Sequence, residues 1–176
     1  MKKILFSIIG LVAVVLLIAA VMPKNFKIEK EITINKPRSE VFSYLKDIKN
    51  DVNWNPWMKK DANMKVEYKG KEGEVGFVQS WSSENKEVGV GEAEIVGITD
   101  DSKIDMVLRF KEPMQAINQA SFTTESVGGG DQTRVIWTMT GRTNFPFNLV
   151  CFFMQKQVNQ EFINGLNNLK EIVEKK

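Results

Sequence analysis

Residues 147–173 read FNLVCFFMQKQVNQEFINGLNNLKEIV. Phe147, Cys151, Met154, Val158, Phe162, Leu166, Leu169 and Val173 recur in steps of three or four, which is one stripe of a long helix. The other side carries Gln155, Gln157, Asn159, Gln160, Asn164, Asn167, Asn168 and Lys170, a face expected to meet water. Pro146 suits the first turn, where a missing N–H is harmless, and Lys175 and Lys176 sit where the helix dipole favours cations. Asn is a mediocre helix former, and Gly165 costs roughly 1 kcal/mol relative to Ala. Such a helix persists only when packed against something. At about 1.5 Å per residue it is a rod of roughly 40 Å, so its cover must be broad.

The middle of the chain supplies a sheet. From Met64 onward the apolar period changes to two, and strands are expected at 64–69, 77–82, 87–98, 103–111, 116–126 and 134–143. Turn signals separate them, among them 70–73 (GKEG), 112–113 (EP) and 128–131 (GGGD). Ile104, Met106, Leu108 and Phe110 share one side of their strand against Asp105, Arg109 and Lys111. The stretch 87–98 carries Gly89, Gly91 and Gly97, as a bent strand would. Upstream, 26–34 alternates apart from Lys30 and reads as an edge strand. A helix then opens at Lys36-Pro37-Arg38, with Val41, Leu45 and Ile48 as its buried side. A second short helix or turn follows at 51–59, where Pro56 prevents a long regular helix.

Composition bounds the function. There is no histidine, which excludes His triads, His metal sites and imidazole acid–base chemistry. Cys151 is the single cysteine, so no internal disulfide or cysteine metal cluster can form. Neither metal nor cofactor is expected. Three of the 24 bases precede residue 25, where no acid occurs, leaving 21 bases against 22 acids. That near-neutral remainder argues against nucleic acid as a partner.

The first residues differ from the rest. Residues 4–22 carry no charge, and thirteen of them are Ile, Leu, Val or Phe, which favours membrane insertion by roughly 4 to 8 kcal/mol. A cleaved secretory signal is the competing reading. The run exceeds the usual 7–15-residue apolar core of a signal, and Ile18 spoils the small–x–small site ending at Ala20. The expectation is therefore an uncleaved single-pass anchor at 1–23 followed by one domain at 24–176. Lys2 and Lys3 favour a cytoplasmic N-terminus with the domain outside, although Lys24, Lys27 and Lys30 crowd the other flank.

One strand, two short helices, six strands and a long helix make an α+β helix-grip order: a curved antiparallel sheet of about seven strands wrapped on the C-terminal helix. Local motifs agree: 34–37 (INKP) leading to 40–42 (EVF), then 54–57 (WNPW), 68–70 (YKG), Gly76, Trp81, 89–91 (GVG), 110–113 (FKEP) and 133–137 (TRVIW). In their order and spacing the chain resembles the SRPBCC (START/Bet v 1-like) superfamily, particularly its polyketide cyclase/dehydrase-like branch, over 26–173. The resemblance implies a cavity between the sheet and the C-terminal helix. Its expected lining is Trp54, Trp57, Trp81, Met106, Leu108, Phe110, Phe122, Trp137, Met139, Met154, Val158 and Phe162, with Trp54 and Trp57 at the mouth. Met is an adaptable liner and Trp a flat apolar wall; the plainer account is that these side chains pack a dry core.

Catalytic candidates are few. Glu92, Glu94, Asp105 and Arg109 lie within strands, and Tyr44 and Tyr68 are the only phenols; alternation alone puts such charges on a solvated face. No catalytic residue is assigned. The expected function is a membrane-anchored domain that binds a hydrophobic small molecule or lipid without catalysis. The alternatives are a cyclase- or hydrolase-like enzyme using a cavity Asp or Glu, and a non-catalytic protein-interaction scaffold. The patch Phe145, Phe147, Leu149, Val150, Phe152 and Phe153 is apolar nearly all round, and either loops or the bilayer would cover it.

Overall fold

The computed structural model describes residues 2–176, apart from the side chains of Lys2 and Leu5. Strands β1 (Asn25–Ile34), β2 (Lys65–Lys69), β3 (Val78–Ser82), β4 (Val90–Thr99), β5 (Lys103–Glu112), β6 (Ala116–Val127) and β7 (Gln132–Arg142) form one antiparallel sheet, ordered β1-β7-β6-β5-β4-β3-β2. Strands β2 to β7 follow one another as neighbours, while β1 pairs with β7. The chain must therefore cross the full width of the sheet between β1 and β2. It does so through α2 (Arg38–Lys46), α3 (Asp51–Trp54) and flanking 3-10 turns. The long helix α4 (Asn148–Lys175) closes the inner face. Both edge strands alternate charges outward, Lys27, Glu29 and Glu31 on β1 and Lys65, Glu67 and Lys69 on β2. Lys30 stands at an inward position of β1, a charge that discourages edge-to-edge pairing.

Several details differ from the sequence expectation. Pro37 is the N-cap of α2 rather than its first residue, and α4 begins two residues after Pro146. Strand β4 starts at Val90 because Asn85 builds a turn ahead of it. The Asn85 side chain accepts from the Glu87 N–H at 3.0 Å, and its carbonyl accepts from the Val88 and Gly89 amides. The expected bend of this strand takes the form of register shifts at Val90/Gly91 and Ile95/Gly97. Around Pro56 the segment splits into α3 and a 3-10 turn, Pro56–Lys59, capped by the Asn55 side chain on the Trp57 N–H.

The core lies between the sheet, α2, α3 and the C-terminal half of α4. Val41, Leu45, Ile48, Ile95, Ile104, Leu166 and Leu169 are all buried there. Gly165 sets how closely the helix approaches. A Cβ at that position would stand 2.9 Å from the Trp137 ring, 3.0 Å from Pro56 and 3.5 Å from the Trp54 ring. Two residues expected to face water make long-range hydrogen bonds instead. Asn168 donates to the Trp54 carbonyl at 3.1 Å and Lys170 to the Thr33 carbonyl at 2.8 Å. A buried carbonyl without a donor is costly, so the Asn168 contact satisfies the part-buried Trp54 carbonyl, and the two contacts fasten α4 to the 54–57 turn and to the exposed edge of β1.

Helix α1 (Lys2–Val21) precedes the domain. Among the described residues no helix is long and apolar enough to cross a membrane. The expected anchor at 4–22 includes Leu5, whose side chain lies outside the described residues. The uninterrupted run from Phe6 to Val21 measures about 24 Å against a hydrocarbon core of about 30 Å. Ala19 is buried, whereas Phe6, Ile8, Leu11, Val14 and Leu17 are exposed on several sides of the helix.

Gly165→Ala tests the close approach. On an open helix surface the change adds about 1 kcal/mol of stability; here it overpacks an indole, a cost of about 1–3 kcal/mol. The variant is expected to melt several degrees lower in a thermal scan, while Asn167→Ala, on the exposed side, does not. A rise in Tm for Gly165→Ala would contradict this packing.

Candidate functional site

Hydrogen-bonded register sorts the inward side chains into rows across the sheet. Trp137, Phe122 and Ile104 form one row, and Ile28, Met139, Ala120, Met106 and Ile95 the next. Beyond them run Phe26, Gly141, Asn118, Leu108, Ala93 and Gln79, and last Phe110, Gly91 and Trp81. The large apolar side chains are less covered in the later rows. Trp137 and Phe122 are buried, Leu108, Phe110 and Trp81 only partly. The facing stripe of α4 loosens in step: Phe162 is 1% exposed, Val158 half-buried and Met154 50% exposed. The helix therefore seals the inner face around Trp137, and its apolar stripe is progressively uncovered towards its own N-terminus.

Five of the twelve expected lining residues form the closed floor. Trp137 stacks on Phe162 with ring centroids 4.0 Å apart, and Trp54 meets Trp137 edge-on at 5.2 Å and Phe122 at 5.7 Å. Trp57 stands edge-on to Trp137 and Phe162 at 6.1 and 6.0 Å. Trp54 is fully buried beneath the helix, so it sits in the floor and not at a mouth. Of the other seven, Met106 is buried in the core, while Trp81, Leu108, Phe110, Met139, Met154 and Val158 are less completely covered. Trp81 can lie across β4 because residue 91 is glycine: a Cβ there would come 2.6 Å from the indole. Its ring packs edge-on to Phe110 at 5.8 Å, and Nε1 donates to the Val88 carbonyl at 3.4 Å.

Polar groups join this wall that the apolar pattern passed over. Gln79 and Asn118 are buried at inward positions; Asn118 Nδ2 lies 4.0 Å from the Met139 sulfur, and Gln79 Nε2 has no partner among the described residues. Their place was readable from strand alternation, since each breaks an inward apolar series. The rim is held by charge. Lys60 pairs with Glu161 of α4 at 2.8 Å and with Glu87 of the β3–β4 loop at 2.9 Å. Burial pulls the Lys60 pKa down, but the hydrogen bonds it donates to both carboxylates outweigh that, and the net shift is upward. Ser83 donates to Asp61 at 2.5 Å beside this clasp.

The charged candidates are elsewhere. Arg109 bridges Glu94 at 2.7 Å and Glu92 at 3.3 Å, and Asp105 pairs with Lys103 at 2.8 Å, all at outward positions of β4 and β5. Tyr68 stacks on Phe77, while Tyr44 is buried with its hydroxyl unpartnered among the described residues. One carboxyl is displaced to neutrality. Burial pushes Asp51 up to about 7, with the Asp47 charge adding to the rise and a hydrogen bond from Asn55 opposing it. Asp51 opens α3 and does not belong to the inward rows. No cluster of three His, Cys, Asp or Glu able to hold a metal occurs among the described residues. A separate cleft of about 230 Å³ lies where α1 meets the domain, lined by Lys24, Phe26, Thr143, Asn148, Cys151 and Phe152 among others.

A seven-stranded antiparallel sheet gripping a long C-terminal helix defines the helix-grip architecture of the SRPBCC superfamily. Residues 25–174 match the family model described as polyketide cyclase / dehydrase and lipid transport, and the chain belongs to that family. Solved structures share the fold at low identity. Protein CV1439 from Chromobacterium violaceum aligns with a TM-score of 0.57 at 13% identity, covering 87% of this chain and 99% of its own. Ara h 8.0201 gives 0.60 at 13% identity, with 86% and 99% covered. CalU16 from Micromonospora echinospora gives 0.56 at 13% identity, with 84% and 75% covered. No curated protein matches the chain.

Asp51 makes a pH prediction. Its folded pKa lies above the unfolded value of 3.8, so the native state holds the proton more tightly. This group therefore penalises folding progressively as pH rises from about 4 through about 7. Asp51→Asn is expected to melt higher than the parent at pH 8 and about level with it at pH 4. An equal difference at both pH values would contradict the shift.

Proposed function

We propose that this chain is a membrane-anchored domain that holds a hydrophobic small molecule or lipid in the groove between the sheet and the N-terminal half of α4. One observation carries the reading: the apolar stripe of α4 continues past the point where the sheet stops covering it. Phe162 is sealed against Trp137, yet Val158 and Met154 on the same stripe are incompletely covered, as are Met139, Leu108, Phe110 and Trp81 at inward positions of the sheet. Uncovered apolar surface of this kind is stabilised by an apolar occupant, at roughly 25 cal/mol per Å² removed from water. Membership of a family described by lipid transport supports the same ligand class.

The anchor belongs to this proposal. Its support is the uncharged, strongly apolar run at 4–22 and the outward exposure of α1's described apolar side chains. We take the domain to lie outside the cytoplasm, in keeping with Lys2 and Lys3 ahead of the apolar run. An enzyme of cyclase type working through a groove carboxylate is the rival. Inward strand positions carry no Asp or Glu among the described residues, and Asp51 stands beside Asp47 and Asn55 instead.

Residues 24–176 are expected to bind a fatty-acid-like fluorescent probe, and Val158→Trp to abolish that binding. In an open groove the larger side chain occupies ligand space with only a small shift in Tm; in a filled core it overpacks, costing about 1–3 kcal/mol. A parent that binds no apolar probe, with a variant that melts far lower, would contradict the proposal.

A further inference from the structure

Asn148, at the first position of α4, is 3% exposed and donates its side-chain amide to two carbonyls at the end of α1, Ala19 at 2.7 Å and Met22 at 3.2 Å. The last carbonyls of a helix lack internal donors, so this contact caps α1 and rivets its C-terminus to the start of α4. The surface beside the rivet is apolar and open. Phe145, Phe147, Val150, Phe152 and Phe153 are each between 45% and 71% exposed. Soluble surfaces rarely leave such a contiguous patch uncovered.

Charge is distributed to match. The chain has no Asp or Glu before Glu29 and none between Asp131 and Glu161. These two acid-free stretches are the ones that meet at the rivet; they carry Lys24, Arg142 and Lys156, and Lys24 shares a cleft with Phe152, whereas Lys27 is paired with Glu29 at 2.7 Å. Exposed aromatic side chains in segments that carry cations but no acids suit the boundary between headgroups and acyl chains, above all in an anionic leaflet. A protein partner of ordinary mixed charge gives no reason for acids to be missing from both segments.

We propose that the N-terminal turn of α4 and the 143–147 loop lie in the surface of the same bilayer that holds α1. The open end of the groove, bordered by Met154 and Val158, is then presented to lipid, and an apolar ligand passes between membrane and groove without crossing water. This rests on the anchored reading proposed above and adds a second, independent membrane contact.

The test uses the full chain in phosphatidylcholine/phosphatidylglycerol vesicles, with Cys151→Ser removing the native thiol. A bimane label is placed singly through Phe153→Cys in the patch, Leu11→Cys within α1, or Asp131→Cys at the opposite end of β7. Lipids brominated on the upper acyl chain are expected to quench the labels at 153 and 11 severalfold more than at 131. Quenching at 153 should weaken when phosphatidylglycerol is omitted. Quenching at 11 alone would overturn this inference and leave the anchor standing. Quenching at neither 11 nor 153 would overturn both, and equal quenching at all three would mean that the domain adsorbs without orientation. Shielding at 153 that ignores brominated lipid but follows protein density would show a second copy on the patch, and would also refute the bilayer contact.

Discussion

The closeness of α4 to the indoles of Trp54 and Trp137 is the constraint on which the structure depends. Gly165 permits it, because any side chain there would collide with the Trp137 ring and with Pro56. Once the backbone is this near, Phe162 stacks on Trp137, Asn168 reaches the Trp54 carbonyl, and Leu166 and Leu169 are buried one turn further along. A glycine that weakens the isolated helix by about 1 kcal/mol thus permits contacts worth more, since each well-placed aromatic pair contributes about 0.5–1.5 kcal/mol beyond its buried area. The proposed binding function follows from the same pinch. Held tightly at its C-terminal half and loosely at its N-terminal half, the helix leaves its apolar stripe uncovered at one end.

Much of this architecture was legible in the sequence, because period is a local property. The stripe from Cys151 to Val173 and the alternation of Ile104, Met106, Leu108 and Phe110 fixed element types and buried faces directly. Long-range partners were not legible. Asn168 and Lys170 read as a water-facing side because nothing within a helix shows that the Trp54 and Thr33 carbonyls lie opposite them. Trp54 read as a mouth residue for the same reason: its position beneath Gly165 depends on how α3 folds back over the sheet. Gln79 and Asn118 stood at inward positions of their strands, but only cross-strand register shows that they share one row. In the Lys60–Glu161–Glu87 clasp, Lys60 and Glu161 lie about a hundred positions apart.

The two ends of the domain have different characters. Around β6–β7 and the C-terminus of α4, acids and bases alternate and pair, as in Arg134 with Glu125, Lys175 with Glu171 and Lys170 with Glu174. Around the start of β1 and of α4 the acids are missing, aromatic rings are exposed, and Asn148 ties the domain to α1. The proposed groove lies towards that second end. A binding domain that exchanges apolar cargo with a bilayer needs that polarity, because its ligand is far more soluble in lipid than in water.

The central claim is that the proposed groove holds an apolar ligand, and native mass spectrometry of the full chain isolated from its own cells tests it most directly. The account predicts a species heavier than the 20.0 kDa chain by the mass of one lipid or hydrophobic small molecule, bound one to one and surviving gentle activation. A bare chain at its sequence mass under those conditions, with no adduct recovered on adding lipid, would contradict it.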